Sequence, residues 1–480
     1  MFYSKHRGIF VVCLLGLIAR LLYVVFLSPE VAQHYFNAPS LFLDQGDFHD
    51  WLTSIKNLVE TGIYTVNPEN EYGYFSRMPG YAFFIGFFYY LFGSDTYLYA
   101  IGYTQVLLDS INIYFIYRIY NSLFPNNRYP YLAAITYAVH PIIIFWAPCL
   151  FAESLSVFLL IFALYLYVCK SFTYNYLTIG ILLGLGILVR PQIAVFVFVI
   201  ITYQGIWFIR HRHANNLAKA CLLVLGVLLT YGWWPFRNYV FHHKVVVTHD
   251  IRGIDYWGPD VYSYMQYIFS IQTNWEPQFS QIITNRDFTV DPSVAYAVPG
   301  DSALLTEAIY LAQNYGSGFS CWSGHWKGRM APNPADAKIV ALFDTLHSHQ
   351  IQYNAFHYWV IQPLKTLKKC LFKNSVSQPV NGYAYYLTST IFCIRSISII
   401  LGIIGCVLAI RNREHHSVFL IFAFFTLWYL IMCFGPTGFM RNVEFRYLLQ
   451  TDSLMIIPFA YCIDCLYKAR KTILPFIELS

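Results

Sequence analysis

Charge is what this chain carries least of. Asp, Glu, Lys and Arg together make up 12% of its 480 residues, against 57% hydrophobic and 19% aromatic, and the mean hydropathy is +0.46. So little charge among so many long apolar runs excludes a string of soluble domains and describes a multispanning membrane protein. The runs also lack the two-residue alternation of barrel strands, which leaves helices, since lipid offers the backbone no other partners. The formal surplus of +6 is small and divided among short basic clusters, which fits loops beside anionic lipid and not a nucleic-acid surface. The eleven cysteines form no disulfide framework, because nearly all lie in apolar runs and read there as small hydrophobes. Cys321 stands alone in a polar region, and Cys462 and Cys465 have no second pair to complete a metal site. Internal repeats are absent too, and both large polar regions fall on one side, unlike the repeated halves of many transporters.

What is present is a set of ten apolar runs, at about 9–27, 97–120, 131–147, 152–169, 176–190, 193–209, 217–234, 386–410, 417–435 and 450–467. The first follows Lys5 and Arg7, is long enough to span, and has no small-residue cleavage site after it, so an uncleaved helix with a cytoplasmic N-terminus is expected. Tyr81 to Gly93 is too short to cross a hydrocarbon core of about 30 Å, which needs about 20 residues. Laid in the interface instead, it lets Arg118, Arg128, Lys170, Arg210, Arg212, Arg411, Arg413, Lys468, Arg470 and Lys471 all fall inside. The expected fold is an all-α polytopic bundle of about ten transmembrane helices. Its parts are an N-terminal membrane module, 1–234, with an acidic first outer loop (28–96), an outer-face region, 235–385, and C-terminal membrane helices, 386–480. The outer region should be a partly helical lid. Within it Tyr353 to Lys373 mixes aromatics with Lys365, Lys368, Lys369 and Lys373, as an interfacial anchor does. Arg20, Asp109, Arg395 and Asp464 lie inside apolar runs and should snorkel or pair.

Carboxylates concentrate in one place, Leu43 to Tyr81, where Asp44, Asp47, Asp50, Glu60, Glu69 and Glu71 face only Lys56 and Arg77. The topology brings Asp47, Arg77, Glu153, Arg190, Arg237 and Arg446 to the same outer face from well-separated segments. A carboxylate can take the proton of an attacking hydroxyl, while arginines can hold a phosphate and stabilise the charge it gains on leaving. A sugar on a lipid phosphate needs both, and because the phosphate leaves unprotonated one carboxylate suffices, unlike in a glycosidase. Blander readings stand beside this: Arg190-Pro191 could punctuate two helices, Arg237 could anchor at the interface, and Tyr64, Tyr72, Tyr74, Trp233 and Trp234 could form an aromatic belt instead of stacking on sugar. His325, His347, His349 and His357 could join the acidic loop around a divalent metal. Their spacing fits no standard site, so no cofactor is assigned and the metal stays open.

The motifs resemble a known family. Gly46-Asp47 followed by Trp51, then Arg77-Met78-Pro79-Gly80-Tyr81, is similar to the first outer loop of GT-C superfamily integral membrane glycosyltransferases of the family 39-like branch, which includes protein O-mannosyltransferases and the lipid A aminoarabinose transferase. Glu153-Ser154-Leu155, Gly184 to Pro191, Trp234-Pro235-Phe236-Arg237-Asn238-Tyr239 and Phe445-Arg446-Tyr447 follow in that family's order, outside the loop from about Asp250 to Gln350. The resemblance implies a polyprenyl- or dolichyl-phosphate sugar donor, Asp47 as catalytic base and Arg77 and Arg190 on the donor phosphate. Glu153 matches a second, supporting acidic position, and Arg237, Arg446 and Tyr447 are expected to support the site. Met78, Ala82, Gln450 and Phe48 depart from the family pattern and point away from protein O-mannosylation, towards a bacterial glycan or lipid.

The expected activity is therefore a hexosyl or pentosyl transfer from a polyprenyl-phosphate donor to a glycan, lipid or protein hydroxyl, by direct displacement. It would take place on the periplasmic face of a bacterial cytoplasmic membrane, with the bilayer as partner and no nucleic acid. The alternative is a transporter or flippase of an anionic lipid-linked glycan, which would need a charged path through the bilayer.

Overall fold

The computed structural model describes residues 7–28, 42, 47–125, 129–170, 172–211, 214–324, 333–372, 383–413, 415–443 and 445–477. Lys5, Asp44, Gly46, Arg128, Arg212, His325 and Lys373 lie outside them. Among the described residues every regular element is helical. The N-terminal module holds α1 (Arg7–Leu22, continued by a π turn, Tyr23–Leu27), α2 (Asp47–Thr61), α3 (Pro79–Phe92), α4 (Tyr97–Leu123), α5 (Pro130–Val139), α6 (Pro141–Trp146), α7 (Ala152–Cys169), α8 (Asn175–Val189), α9 (Ala194–His211) and α10 (Ala214–Tyr231). The middle region holds α11 (Trp233–His242), α12 (Pro259–Ile271), α13 (Glu276–Ile283), α14 (Asp301–Tyr315), α15 (Ser317–Ser323), α16 (Asp336–Tyr353) and α17 (Gln362–Phe372). The chain ends with α18 (Tyr383–Arg411), α19 (His416–Cys433) and α20 (Leu449–Ile477).

Five segments, Arg7–Leu27, Ala152–Cys169, Pro191–His211, Ala214–Tyr231 and Ser389–Arg411, are long and apolar enough to cross a membrane by length and composition. The protein is an all-α polytopic membrane protein. Other expected runs depart from a simple span for local reasons. Run 131–147 breaks at His140 into α5 and α6, because Pro141 has no N–H to give the preceding turn. α8 has 15 residues, and α4 carries Asp109 in its middle. With 14 residues, α3 is short; at about 1.5 Å per residue it reaches roughly 21 Å, below the ~30 Å of a hydrocarbon core.

Small residues set the closest helix approach. A Cβ at Gly180 would lie 2.2 Å from the Leu223 carbonyl oxygen, and one at Gly226 would lie 2.4 Å from that of Leu177, so α8 and α10 meet backbone to backbone. Charges inside the bundle are paired. Arg20 Nε donates to Asp109 at 2.6 Å, Tyr137 donates to the same carboxylate at 2.6 Å, and Arg395 Nε donates to Asp452 at 2.9 Å. Asp464 takes Lys468 at 2.7 Å.

The middle region folds around its own apolar core, with Tyr264, Met265 and Ile268 of α12 against Phe343 and Leu346 of α16. Its last stretch bends through a π turn, His357–Ile361, before α17. Lys369 donates to the Thr273 carbonyl at 2.7 Å, so this lysine is turned to the lid.

The interfacial placement of α3 has a direct check. With the exposed native cysteines removed, Pro125→Cys should be shielded from an impermeant maleimide in intact cells and Ser302→Cys should react. Labelling of position 125 from outside would make α3 a span.

Candidate functional site

Proline and helix ends place the charged side chains. Asp47 and Asp50 occupy the first turn of α2, where the unsatisfied N–H groups favour carboxylates, and their i, i+3 spacing puts both on one face. Arg77 lies two residues before Pro79, the first residue of α3, and Met78 between them is extended, with φ −69° and ψ 142°. Gly80 then lets α3 dock on the end of α8, since a Cβ there would sit 2.6 Å from the Leu188 carbonyl carbon. That contact brings Arg77 beside Arg190. Arg190 caps α8 in an extended conformation, φ −147°, because Pro191 excludes a further helical turn. Glu153 sits in the first turn of α7 and is 1% exposed. Behind it, Gln105 donates to the Cys149 carbonyl at 2.9 Å and accepts from Tyr81 at 2.8 Å.

These side chains meet in one ion-pair cluster. Arg77 Nη2 donates to Asp47 Oδ1 at 2.6 Å and to Asp50 Oδ2 at 2.7 Å, while Arg77 Nε reaches Asp50 Oδ2 at 3.2 Å. Arg446, from the turn before α20, places Nη2 2.9 Å from Asp47 Oδ2 and Nε 3.7 Å from Glu153 Oε1. Arg190 pairs with the same Glu153 oxygen. The ring of Tyr447 stands between two cations, with the guanidinium carbons of Arg190 and Arg446 5.1 and 5.3 Å from its centroid. Asp47, Arg77, Glu153, Arg190, Arg446 and Tyr447 thus come together.

Arg237 does not join them. Its Nη1 donates to the Tyr74 carbonyl at 2.9 Å and its Nη2 to that of Tyr64 at 3.0 Å, with Trp234 stacked 5.2 Å away. It fastens the two arms of the acidic loop to α11. The expected support of the site is therefore indirect. The histidines also lie elsewhere: His347 contacts Tyr358, and His349 pairs with Asp301. Among the described residues no three His, Cys, Asp or Glu side chains are grouped to hold a metal ion.

Three cluster residues were not selected from the sequence. Asp50, one of the carboxylates of the acidic loop, is the second ligand of Arg77. Tyr256, from the lid, donates to Asp50 Oδ2 at 2.9 Å, and Trp322 holds the Tyr256 carbonyl. His249 lies within the field of Arg77 and Arg190. No pattern marks Tyr256 or His249, which belong to a loop without family motifs.

The two aspartates have opposed electrostatics. Burial works against ionisation of Asp47, but the charges of Arg77, Arg446 and Arg190 outweigh it and hold the carboxyl well below the usual range. At Asp50 burial outweighs the attraction of Arg77, and nearby Asp47 adds to it, so its pKa is raised. Desolvation and then the charges of Arg77 and Arg190 lower His249 to about 4, which keeps it neutral near pH 7. Burial and then Asp50 raise the Tyr256 hydroxyl far above its ordinary value, so it remains a donor.

Residues 76–234 match the family described as dolichyl-phosphate-mannose-protein mannosyltransferase. Over that third of its length the chain is similar to a family of membrane glycosyltransferases. The matched segment includes Arg77, Glu153 and Arg190; Asp47, Arg446 and Tyr447 lie outside it. No curated protein sequence matches the chain. Among solved structures, the oligosaccharyltransferase of Archaeoglobus fulgidus in its apo form is 11% identical, with a TM-score of 0.45. The alignment covers 98% of this chain and 52% of that one, so the chain spans about half the length of that protein.

Arg237→Ala separates structural support from chemistry. Each lost bond from a charged donor is worth about 1.5–3 kcal/mol, so the thermal midpoint in detergent should fall clearly, with the Arg77 and Asp47 contacts loosened only secondarily. A midpoint equal to that of the unmodified protein would remove this role.

Proposed function

We propose that the protein transfers a sugar from a polyprenyl-phosphate donor to a hydroxyl of a glycan, lipid or protein acceptor at the outer face of the membrane. The observation that carries the reading is the cluster itself: a carboxylate clasped by Arg77 and Arg446, with Arg190 one residue pair away, at the lid-bearing end of the bundle. In the displacement, Asp47 removes the acceptor proton as the acceptor oxygen bonds to the anomeric carbon. The bond from that carbon to the phosphate oxygen breaks, and the phosphate leaves with its negative charge on Arg77 and Arg190, inverting the anomeric centre. Glu153 and Tyr447 are shared partners of Arg190 and Arg446 and orient both. Asp50 and Tyr256 position Arg77. A flippase is not favoured, because among the described residues the charges within the bundle, Arg20 with Asp109 and Arg395 with Asp452, are spent on each other.

Arg77→Gln and Arg190→Gln should each weaken donor binding roughly tenfold to a hundredfold, the range for hydrogen bonds to a charged group. Arg190→Lys should do less harm unless the paired geometry of the guanidinium is used. The variants are compared by donor titration after confirming that they stay monodisperse in detergent. Unchanged affinity in both Gln variants would exclude these arginines from the phosphate.

Asp47→Asn preserves size and removes the base, so kcat should fall by about 10²–10⁴-fold with donor still bound. Because the Asp47 pKa is depressed, the base stays ionised through acidic pH, and the rate should show no Asp47-dependent fall between pH 8 and pH 5. Asp50→Asn should retain a measurable rate with weaker donor binding. Transfer of sugar from radiolabelled polyprenyl-phosphate donors by membranes is the assay; a dead Asp50→Asn beside an active Asp47→Asn would reverse the two assignments.

A further inference from the structure

Among the eleven cysteines one pair is in sulfur contact across different elements. Cys370 near the end of α17 and Cys433 at the end of α19 have their Sγ atoms 3.9 Å apart, both buried, in a small apolar cluster with Val443 and Leu448. The two helices are docked here by an independent latch. Arg441, just beyond α19, donates from Nη1 to the Tyr358 carbonyl at 2.6 Å and from Nε to the Gly435 carbonyl at 3.0 Å, and Tyr358 donates to the Pro436 carbonyl at 3.0 Å. From the other side Arg395 Nη1 donates to the Cys370 carbonyl at 2.7 Å. The thiols therefore meet across a joint held from both sides, 3.9 Å apart where a disulfide bond is about 2.05 Å.

We infer that Cys370 and Cys433 form a disulfide that fastens the lid to the membrane bundle beside the segment carrying Arg446. The inference rests on the outward orientation proposed above, since thiols at that end would meet an oxidising compartment, whereas at the cytoplasmic end they would stay reduced. The oxidant is a protein disulfide of the thiol–disulfide exchange class. Cys370 attacks it to give a mixed disulfide, Cys433 displaces the carrier, two protons leave, and the two electrons end on the carrier as its dithiol. Exchange takes place while the chain folds, before the apolar cluster closes over the sulfurs. Once formed, the bond keeps α17 from parting from α19, and with it Leu448, two residues from Arg446.

The test uses the full-length protein in its membrane. Free thiols are blocked with N-ethylmaleimide, the protein is denatured and reduced, and newly exposed thiols are counted by the gel shift of a polyethylene-glycol maleimide. Reduction should release a pair of thiols in the unmodified chain and none in Cys370→Ser or Cys433→Ser, and the non-reduced digest should contain the linked peptide. The Ser302→Cys variant, labelled in intact cells, keeps the two readings separate. Labelling of position 302 from outside with no reducible pair overturns the disulfide alone. A shielded position 302 overturns the orientation, and the disulfide with it.

Discussion

Asp47 lies between two guanidinium groups that reach it from distant parts of the chain, and the arrangement of the lid-bearing end depends on that clasp. Arg77 binds one oxygen and Arg446 the other. For both to arrive, the start of α2, the turn before α3 and the turn before α20 must converge, and Arg446 then meets Glu153 at the head of α7, which in turn holds Arg190 at the tail of α8. Arg77, Arg190 and Arg446 face Asp47, Asp50 and Glu153, so the cluster carries as many positive as negative groups. Partly buried charges persist only when paired, and removing one partner leaves the other stranded at several kcal/mol. Balance therefore explains why these residues come as a set.

The lid is joined to this set and not laid over it. The Asp250 N–H donates to the Phe75 carbonyl at 2.8 Å, and Trp234 Nε1 donates to the Thr248 carbonyl at 2.7 Å. At Gly253 a Cβ would fall 2.2 Å from the Tyr72 carbonyl oxygen, so the lid's first turn rests directly on the acidic loop. Tyr256 extends that contact to Asp50. Any displacement of the lid would strip a donor from Asp50 and weaken its hold on Arg77, which ties lid position to the shape of the cluster.

Much of this architecture was legible in the chain's own letters. Apolar runs announce helices, and the placement of basic clusters sorts Asp47, Arg77, Glu153, Arg190 and Arg446 to one face. Arg237 shows where such sorting ends. A count of spans tells which side an arginine faces but not whether it meets a carboxylate or a carbonyl, and Arg237 meets two carbonyls. Tyr256 and His249 come from a stretch with neither periodicity nor motif, and their positions follow only from the packing of the lid. The break at His140-Pro141 was written in the sequence; hydropathy alone passed over it, because a proline inside an apolar run changes the backbone and leaves the average unaltered.

The opposed electrostatics of Asp47 and Asp50 have a consequence for the proposed chemistry. A carboxylate engaged by two guanidinium groups is a weak base, since the same charges that keep it ionised also hold its lone pairs. Under the proposed chemistry an anionic phosphate entering the cluster would compete for Arg77 and Arg190, and each guanidinium drawn towards it would withdraw stabilisation from Asp47. The pKa of Asp47 would then rise towards the ordinary carboxylate range, and its basicity with it. Asp50, already raised by burial, is the carboxyl best placed to take up a proton when the incoming anion upsets the balance of charge. In such a site the donor itself would strengthen the base, so that acceptor activation follows donor binding.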